Sequence, residues 1–136
     1  MEGLRVGDVA RQAEVNLQSI HYYERRGLLP RPARTRSNYR AYPADTVRRV
    51  RFIKRSQALG FTLKEIKELL SLRAAPRAHC ADVRRRAEAK VRDIDEKVIM
   101  LQAIRKALAD LIGQCSGKGP VTECPILAAL DSKEGA

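Results

Sequence analysis

The sequence predicts a mainly α fold in which a small winged helix-turn-helix domain precedes one long helix. Near the start of the chain, two helical patterns are separated by only a few residues, as in a helix-turn-helix. A short stretch that alternates large and small residues follows, which is typical of a hairpin or wing. Farther on, residues 80–112 contain neither glycine nor proline, so nothing in them interrupts a helix.

The two short helices have recognisable apolar faces and ends. Apolar residues recur at helical spacing over residues 4–13, and again at Ile20 and Tyr23 in the next segment. Asn16 is a residue type favoured at N-caps, and Gly27 suits the C-terminal end of the second helix. This pair is the predicted helix-turn-helix.

A wing and two further helices are predicted next. Two prolines precede "SNYRAY", residues 37–42, which is the alternating stretch. A third helix is predicted from Pro43 to about Leu59, because proline is well placed in a first helical turn. Thr62 followed by Glu65 is a capping-box signature for a fourth helix.

The long helix is predicted over residues 80–113. Its apolar residues recur in steps of three and four and predict one continuous stripe: Val83, Ala87, Val91, Ile94, Val98, Leu101, Ile104, Leu108 and Leu111. At 1.5 Å per residue such a helix spans about 50 Å. The small preceding domain cannot cover a stripe of that length, so a partner helix is expected. The simplest partner is a second copy in an antiparallel homodimer.

The charge distribution indicates a polyanionic partner. The chain has 27 Lys and Arg against 16 Asp and Glu, a formal net charge of +11. Residues 25–55 contain 11 basic side chains and a single acidic one, Asp45. This one-sided patch favours nucleic acid. A membrane surface fits less well, because the basic stretch lacks a continuous apolar helical face.

If the polyanion is duplex DNA, two groups of residues are candidates for contact. Polar side chains early in a recognition helix read base edges, and the candidates here are Asn16, Gln18, Ser19 and His21. Arginine and tyrosine side chains contact phosphates, and the wing candidates are Arg34, Arg36 and Arg40. Tyr22 or Tyr42 could instead supply core volume, since the chain has only two Phe and no Trp.

The sequence favours a cytoplasmic location and does not predict an enzyme. Charged residues interrupt the first positions, and no apolar run reaches the roughly 18 residues of a membrane span. Thiols in that compartment serve metal or redox chemistry more often than disulfide frameworks. The chain has no Cys-x-x-Cys, no glycine-rich phosphate loop and only two His as acid–base groups.

The three cysteines are candidate metal ligands. Cys115 and Cys124 flank a loop rich in Gly and Pro, while Cys80 begins the long helix, about 50 Å away by helical rise. Thiolates that share one ion lie within about 4 Å of each other, so one unbroken chain cannot bring all three together. An antiparallel dimer would place Cys80 beside Cys115 and Cys124 of the partner subunit. Three thiolates suit a soft, thiophilic ion, and His79 is a possible fourth ligand.

Two other interpretations of the thiols remain open. Cys115 and Cys124 could form a redox pair that switches a regulator by oxidation. All three cysteines could also be buried residues without a chemical role, as free cysteine often is.

Three stretches, together with the cysteine spacing, resemble the MerR-type transcriptional regulators. They are "VGDVARQAEVNLQSIHYYERRGLL", "SNYRAY" and "VRFIKRSQALGFTLKEIKELL". The similarity is to the metal-sensing branch and, within it, to regulators of mercuric ion. It implies a winged-helix DNA-binding domain, a connecting helix pair and an antiparallel coiled-coil dimerisation helix. A homodimer would bind double-stranded promoter DNA and repress transcription without metal. When metal binds, the dimer would distort the overlong spacer between the two promoter elements so that RNA polymerase can engage both.

The resemblance also implies roles for individual residues. Tyr23, Arg34, Tyr39 and Arg40 match positions that contact the DNA backbone, and His21 replaces the usual Arg. Cysteine at position 80 implies a divalent ion. Hg(II) is the expected inducer, followed by Pb(II) or Cd(II) and then Zn(II).

Four segments are therefore expected. Residues 1–73 form the DNA-binding domain with the connecting helix pair, and 74–79 are a linker. Residues 80–113 form the dimerisation helix, and 114–136 contain a metal-binding loop and a short C-terminal helix.

Overall fold

The structure is a computed structural model that describes residues 3–36 and 39–133. The elements in chain order are α1 (Val6–Ala13), α2 (Leu17–Arg25), β1 (Ala33–Arg34), β2 (Arg40–Ala41), α3 (Thr46–Ala58), α4 (Leu63–Ala74), α5 (Cys80–Gln114), a short 3₁₀ helix (Val121–Glu123) and α6 (Pro125–Leu130). The prediction of a mainly α fold with a winged helix-turn-helix and one long helix is confirmed. Ser37 and Asn38, in the predicted wing, lie outside the described residues.

The turn between α1 and α2 depends on two local features. Glu14 ends α1 in the left-handed region at φ 58°, and α2 begins three residues later at Leu17. Asn16 then caps α2, because its side-chain oxygen accepts a hydrogen bond from the Ser19 backbone N–H at 2.7 Å. Gly27, at φ 75°, follows the end of α2.

The wing is a two-stranded antiparallel hairpin. Ala33 pairs with Ala41, and Arg34 pairs with Arg40. The residue after β2, Tyr42, forms a bridge with Leu4 through two backbone hydrogen bonds of 2.8 and 2.7 Å. The wing is therefore anchored to the segment that precedes α1.

One hydrophobic core holds α1 to α4 together. α1 packs against α2 and α3, and α3 packs against α4. The side chains with less than 2 % of their surface exposed are Val9, Ile20, Leu28, Tyr42, Val50, Ile53 and Ile66. Of the two tyrosines predicted as alternative core residues, Tyr42 is the one that is buried, whereas Tyr22 is 39 % exposed.

The chain divides into two compact units, Met1–Arg86 and Ala87–Ala136. α5 begins in the first unit and ends in the second as one helix of 35 residues. In the single chain its apolar stripe is open to solvent, with these side chains 41–63 % exposed: Val83, Val91, Ile94, Val98, Leu101, Ile104 and Leu108. The four-segment division stays a prediction.

No helix among the described residues is both long and apolar enough to cross a membrane. α5 has the length, but charged residues recur along it.

The capping box of α4 leads to a stability prediction. The Thr62 hydroxyl accepts from the Glu65 backbone N–H at 3.2 Å, and the Glu65 carboxylate accepts from the Thr62 N–H at 2.8 Å. Thr62→Ala removes one of these bonds, and we expect the free energy of unfolding to fall by about 1 kcal/mol. Urea unfolding at fixed protein concentration measures this.

The matched control for Thr62→Ala is Ser71→Ala, at an exposed position on the same helix. Its effect is expected to stay within about 0.5 kcal/mol. An equal loss in both variants would contradict the role of the cap.

Candidate nucleic-acid interface and candidate thiol site

The structure brings the four predicted base-reading residues onto one open groove at α2. The groove is lined by Asn16, Gln18, Ser19, His21, Tyr22 and Arg25. Ile20 and Tyr23 are buried on the opposite side of the helix. Because residues three and four apart share a helix face, burial of that side directs the groove residues outward.

Two of these residues also have structural partners. The Asn16 side-chain oxygen accepts from both the backbone N–H and the hydroxyl of Ser19, at 2.7 and 2.9 Å. Its amide nitrogen is the part of the side chain suited to a base contact. His21 Nδ1 lies 3.3 Å from Glu24 Oε1, so its other ring nitrogen is the one suited to DNA.

Sequence reasoning missed a basic aromatic cluster on α2. The guanidinium carbons of Arg25 and Arg26 lie 5.8 and 5.9 Å from the centre of the Tyr22 ring. Arginine over an aromatic face is stabilised by cation–π attraction and keeps its N–H donors for other partners. The spacing of three and four residues from Tyr22 was the available signal.

The predicted phosphate contacts lie in different environments. Arg34 of β1 and Arg40 of β2 are paired residues in the antiparallel wing. Arg5 lies over the Tyr39 ring, with its guanidinium carbon 4.1 Å from the ring centre. Tyr23 is only 5 % exposed, and its hydroxyl donates to Gln57 Oε1 at 2.8 Å. Their assignments as DNA contacts stay predictions.

Two of the three cysteines meet in the second unit. Cys115 directly follows α5, and Cys124 is the N-cap residue of α6. The backbone N–H groups of Leu127 and Ile126, together with the Cys115 thiol, donate to the Cys124 sulfur and hold its pKa below the ordinary cysteine value. Gly117 and Gly119, both at positive φ, let the intervening loop turn back.

This pair fits a soft metal ion. The thiolate is the form of cysteine that binds metal, and the donors around Cys124 favour the thiolate. Among the described residues, no group of three or more His, Cys, Asp or Glu side chains is arranged to hold an ion within one chain.

Cys80 is the first residue of α5 and is exposed. The backbone N–H of its neighbour His79 donates to Asp82 Oδ2 at 2.8 Å, which fixes the start of the helix. Cys80 belongs to the first compact unit and the other two cysteines to the second.

The thiol contact predicts selective oxidation. Diamide takes two protons and two electrons from a pair of thiols and is itself reduced to the hydrazine, and we expect the main product to be a Cys115–Cys124 disulfide. Peptide mapping by mass spectrometry identifies the bond. The Cys80→Ser variant is the control and should form the same product, whereas dominant cross-links through Cys80 would contradict the pairing.

Family models match most of the chain. The MerR HTH family regulatory protein model matches residues 4–72, and the MerR DNA-binding model matches residues 47–111. A mercuric resistance operon regulatory protein of Bacillus cereus is 43 % identical over 95 % of this chain and 98 % of the relative. This chain belongs to the MerR family. It is a DNA-binding transcriptional regulator and not an enzyme.

Two solved structures of MerR regulators resemble this chain along most of its length. PbrR691 of Ralstonia metallidurans CH34, in complex with lead(II), has a TM-score of 0.82 and 35 % identity. The similarity covers 93 % of this chain and 98 % of that protein. MerR of Bacillus megaterium MB1, in complex with mercury(II), has a TM-score of 0.72 and 36 % identity over 95 % of this chain and all of the other.

Proposed function

We propose that this MerR-family protein is a metal-responsive regulator in which a thiophilic divalent ion controls transcription. The observation that carries the proposal is Cys124 at the N-cap of α6, where backbone N–H groups and the neighbouring Cys115 thiol lower its pKa. Two adjacent sulfurs held by a loop form part of a soft-ion site. The same chemistry is supported by a relative that is named for mercuric resistance and by two similar structures that hold lead(II) or mercury(II).

The third ligand is Cys80 of the partner subunit. α5 is continuous, with Cys80 at its first position and Cys115 after its last. Its exposed stripe calls for a partner helix, and an antiparallel homodimer would pair the start of one α5 with the end of the other. Each dimer would then have two equivalent three-thiolate sites. In this arrangement residues 1–73 serve as the DNA-binding domain, 74–79 as a linker, 80–113 as the dimerisation helix and 114–136 as the metal-binding segment.

The first unit binds double-stranded promoter DNA in the cytoplasm. The N-terminal turn of α2 enters the major groove, where Asn16, Gln18, Ser19 and His21 face base edges. The wing residues Arg34, Tyr39 and Arg40 orient the domain on the phosphate backbone. The Tyr23 hydroxyl joins them by exchanging its bond to Gln57 for one to a phosphate.

Metal would act through the shape of the DNA. Without metal the dimer holds the promoter in a repressed form, and with metal it distorts the spacer so that RNA polymerase engages both promoter elements. Bending a DNA site costs about 1–6 kcal/mol, so a modest difference in free energy separates the repressed and the activated form of the promoter. The ion must bind one arrangement of the dimer better than the other to shift that balance.

Hg(II) is the preferred inducer. A site of three sulfurs suits this soft ion, and structural Zn(II) usually takes four ligands. Pb(II) and Cd(II) come next and Zn(II) last.

A thiol-redox regulator is the second candidate function. The same Cys115–Cys124 contact favours it, because two neighbouring thiols can be oxidised to a disulfide without Cys80. Switching by oxidant that survives Cys80→Ser would support this candidate.

Mixing variant chains tests the shared site. A Cys80→Ser chain and a Cys115→Ser, Cys124→Ser chain each lack a complete site as homodimers. Their heterodimer would contain one complete site, so we expect tight Hg(II) binding to return in the mixture. Ultraviolet thiolate-to-metal absorption with a competing thiol measures it, and each variant alone is the control. A mixture that binds no tighter than its parents would contradict the site across the dimer.

The same titration with Pb(II), Cd(II) and Zn(II) decides the inducer. Tighter binding of lead or cadmium would keep the mechanism and change the ion. No thiolate band with any ion would overturn metal sensing and favour the redox candidate.

Gln18 provides a test of base reading. Its side chain is exposed in the groove at α2, and we expect Gln18→Ala to weaken binding to a selected DNA sequence by about 1–3 kcal/mol. Binding to random DNA should not change. Gln12→Ala, at an exposed position on α1, is the matched control. Fluorescence anisotropy measures both, and equal loss on selected and random DNA would exclude base reading by Gln18.

A further inference from the structure

We propose that Glu24 is a positioning residue that fixes the wing to the recognition helix, so that Arg40 and α2 meet the DNA in one register. The inference deepens the proposed DNA contacts and does not depend on which ion is sensed. Glu24 lies on α2, on the last turn before the chain leaves for the wing.

Three polar groups from α2 and the wing region lie around one carboxylate oxygen of Glu24. Glu24 Oε1 accepts from the Tyr42 hydroxyl at 3.1 Å and lies 3.3 Å from His21 Nδ1. Arg40 places a guanidinium nitrogen 3.6 Å from the same oxygen. The Glu24 side chain is only 6 % exposed. Burial and the Glu24 carboxylate raise the pKa of Tyr42, so its hydroxyl remains the donor at neutral pH.

The other oxygen indicates a role beyond stability. Glu24 Oε2 is buried and has no hydrogen-bond partner among the described residues. A buried carboxylate that is only half satisfied is costly, and an apolar side chain would suit stability better. The charge at this position therefore has another use, which is to hold the cation that faces it.

Arg40 can serve both Glu24 and a phosphate. Its side chain is 38 % exposed, so it is partly open to a ligand while one nitrogen faces the carboxylate. A guanidinium has five N–H donors in a rigid fork, enough for two partners. Ordering the side chain before binding reduces the entropy lost on the DNA. Tyr42, tied to Leu4 through the backbone, keeps the arrangement anchored.

Glu24→Gln tests the charge without changing the shape. The amide oxygen can still accept from Tyr42, but the attraction for Arg40 is lost. Glu14→Gln is the matched control, because it removes one negative charge at an exposed position in the same unit. We expect Glu24→Gln to bind selected and random DNA alike about tenfold more weakly than Glu14→Gln does, because a phosphate contact carries no sequence information. The slope of log affinity against log salt should fall by about 1, as for one lost phosphate contact.

A double-variant cycle separates positioning from general destabilisation. In an Arg40→Ala background, Glu24→Gln should cause no further loss of affinity, because the group that it positions is gone. Equal additional loss in both backgrounds, or wild-type affinity and salt slope in Glu24→Gln alone, would overturn the role. If Glu24→Gln does not fold, Tyr42→Phe is the second test. It keeps the buried ring and removes one donor to Oε1, and wild-type affinity with a wild-type salt slope would overturn the role.

All assays are done without metal on the full-length protein. Failure of the wild type to select any DNA sequence would contradict the proposed contacts themselves. Normal selection by the wild type, with no effect at Glu24, would overturn only the positioning role.

Discussion

Burial of Ile20 and Tyr23 against the core is the constraint on which the proposed DNA-facing surface depends. A helix can bury only one side, so fixing these two residues turns the other side of α2 outward. The groove residues and the cluster of Tyr22, Arg25 and Arg26 follow from that orientation. The proposed base-reading surface thus rests on apolar burial at the other side of the same helix.

The wing is held by polar contacts instead. Its strands have two residues each, too few to be stable by backbone pairing alone. The bridge from Tyr42 to Leu4 and the hydroxyl of Tyr42 on Glu24 connect it to the domain. A small basic element can therefore keep a defined position although each of its strands has only two residues.

In the thiol pair, backbone N–H groups stabilise the form of the Cys124 side chain that binds metal. The start of α6 directs N–H donors at the Cys124 sulfur, and two glycines close the loop that brings Cys115 near. In the proposed dimer, Cys80 of the partner subunit would complete this site, so ion binding would depend on how the two subunits are arranged. The proposed regulator would couple ion binding to DNA shape through that dependence.

The sequence by itself determined the order of the helices and the stripe of α5, because these depend on residues a few positions apart. The third helix begins at Thr46, with Asp45 as its N-cap, and not at Pro43 as predicted. The sequence likewise singled out Asn16, the capping pair Thr62 and Glu65, and the cysteines. Tertiary structure decided which aromatic side chains are buried: Tyr42 and Tyr23 enter the core, while Tyr22 stays exposed beside two arginines. It also placed Arg40 against Glu24, 16 positions earlier in the chain. Such contacts join distant segments, and no local spacing encodes them, since they form only when the core brings those segments together.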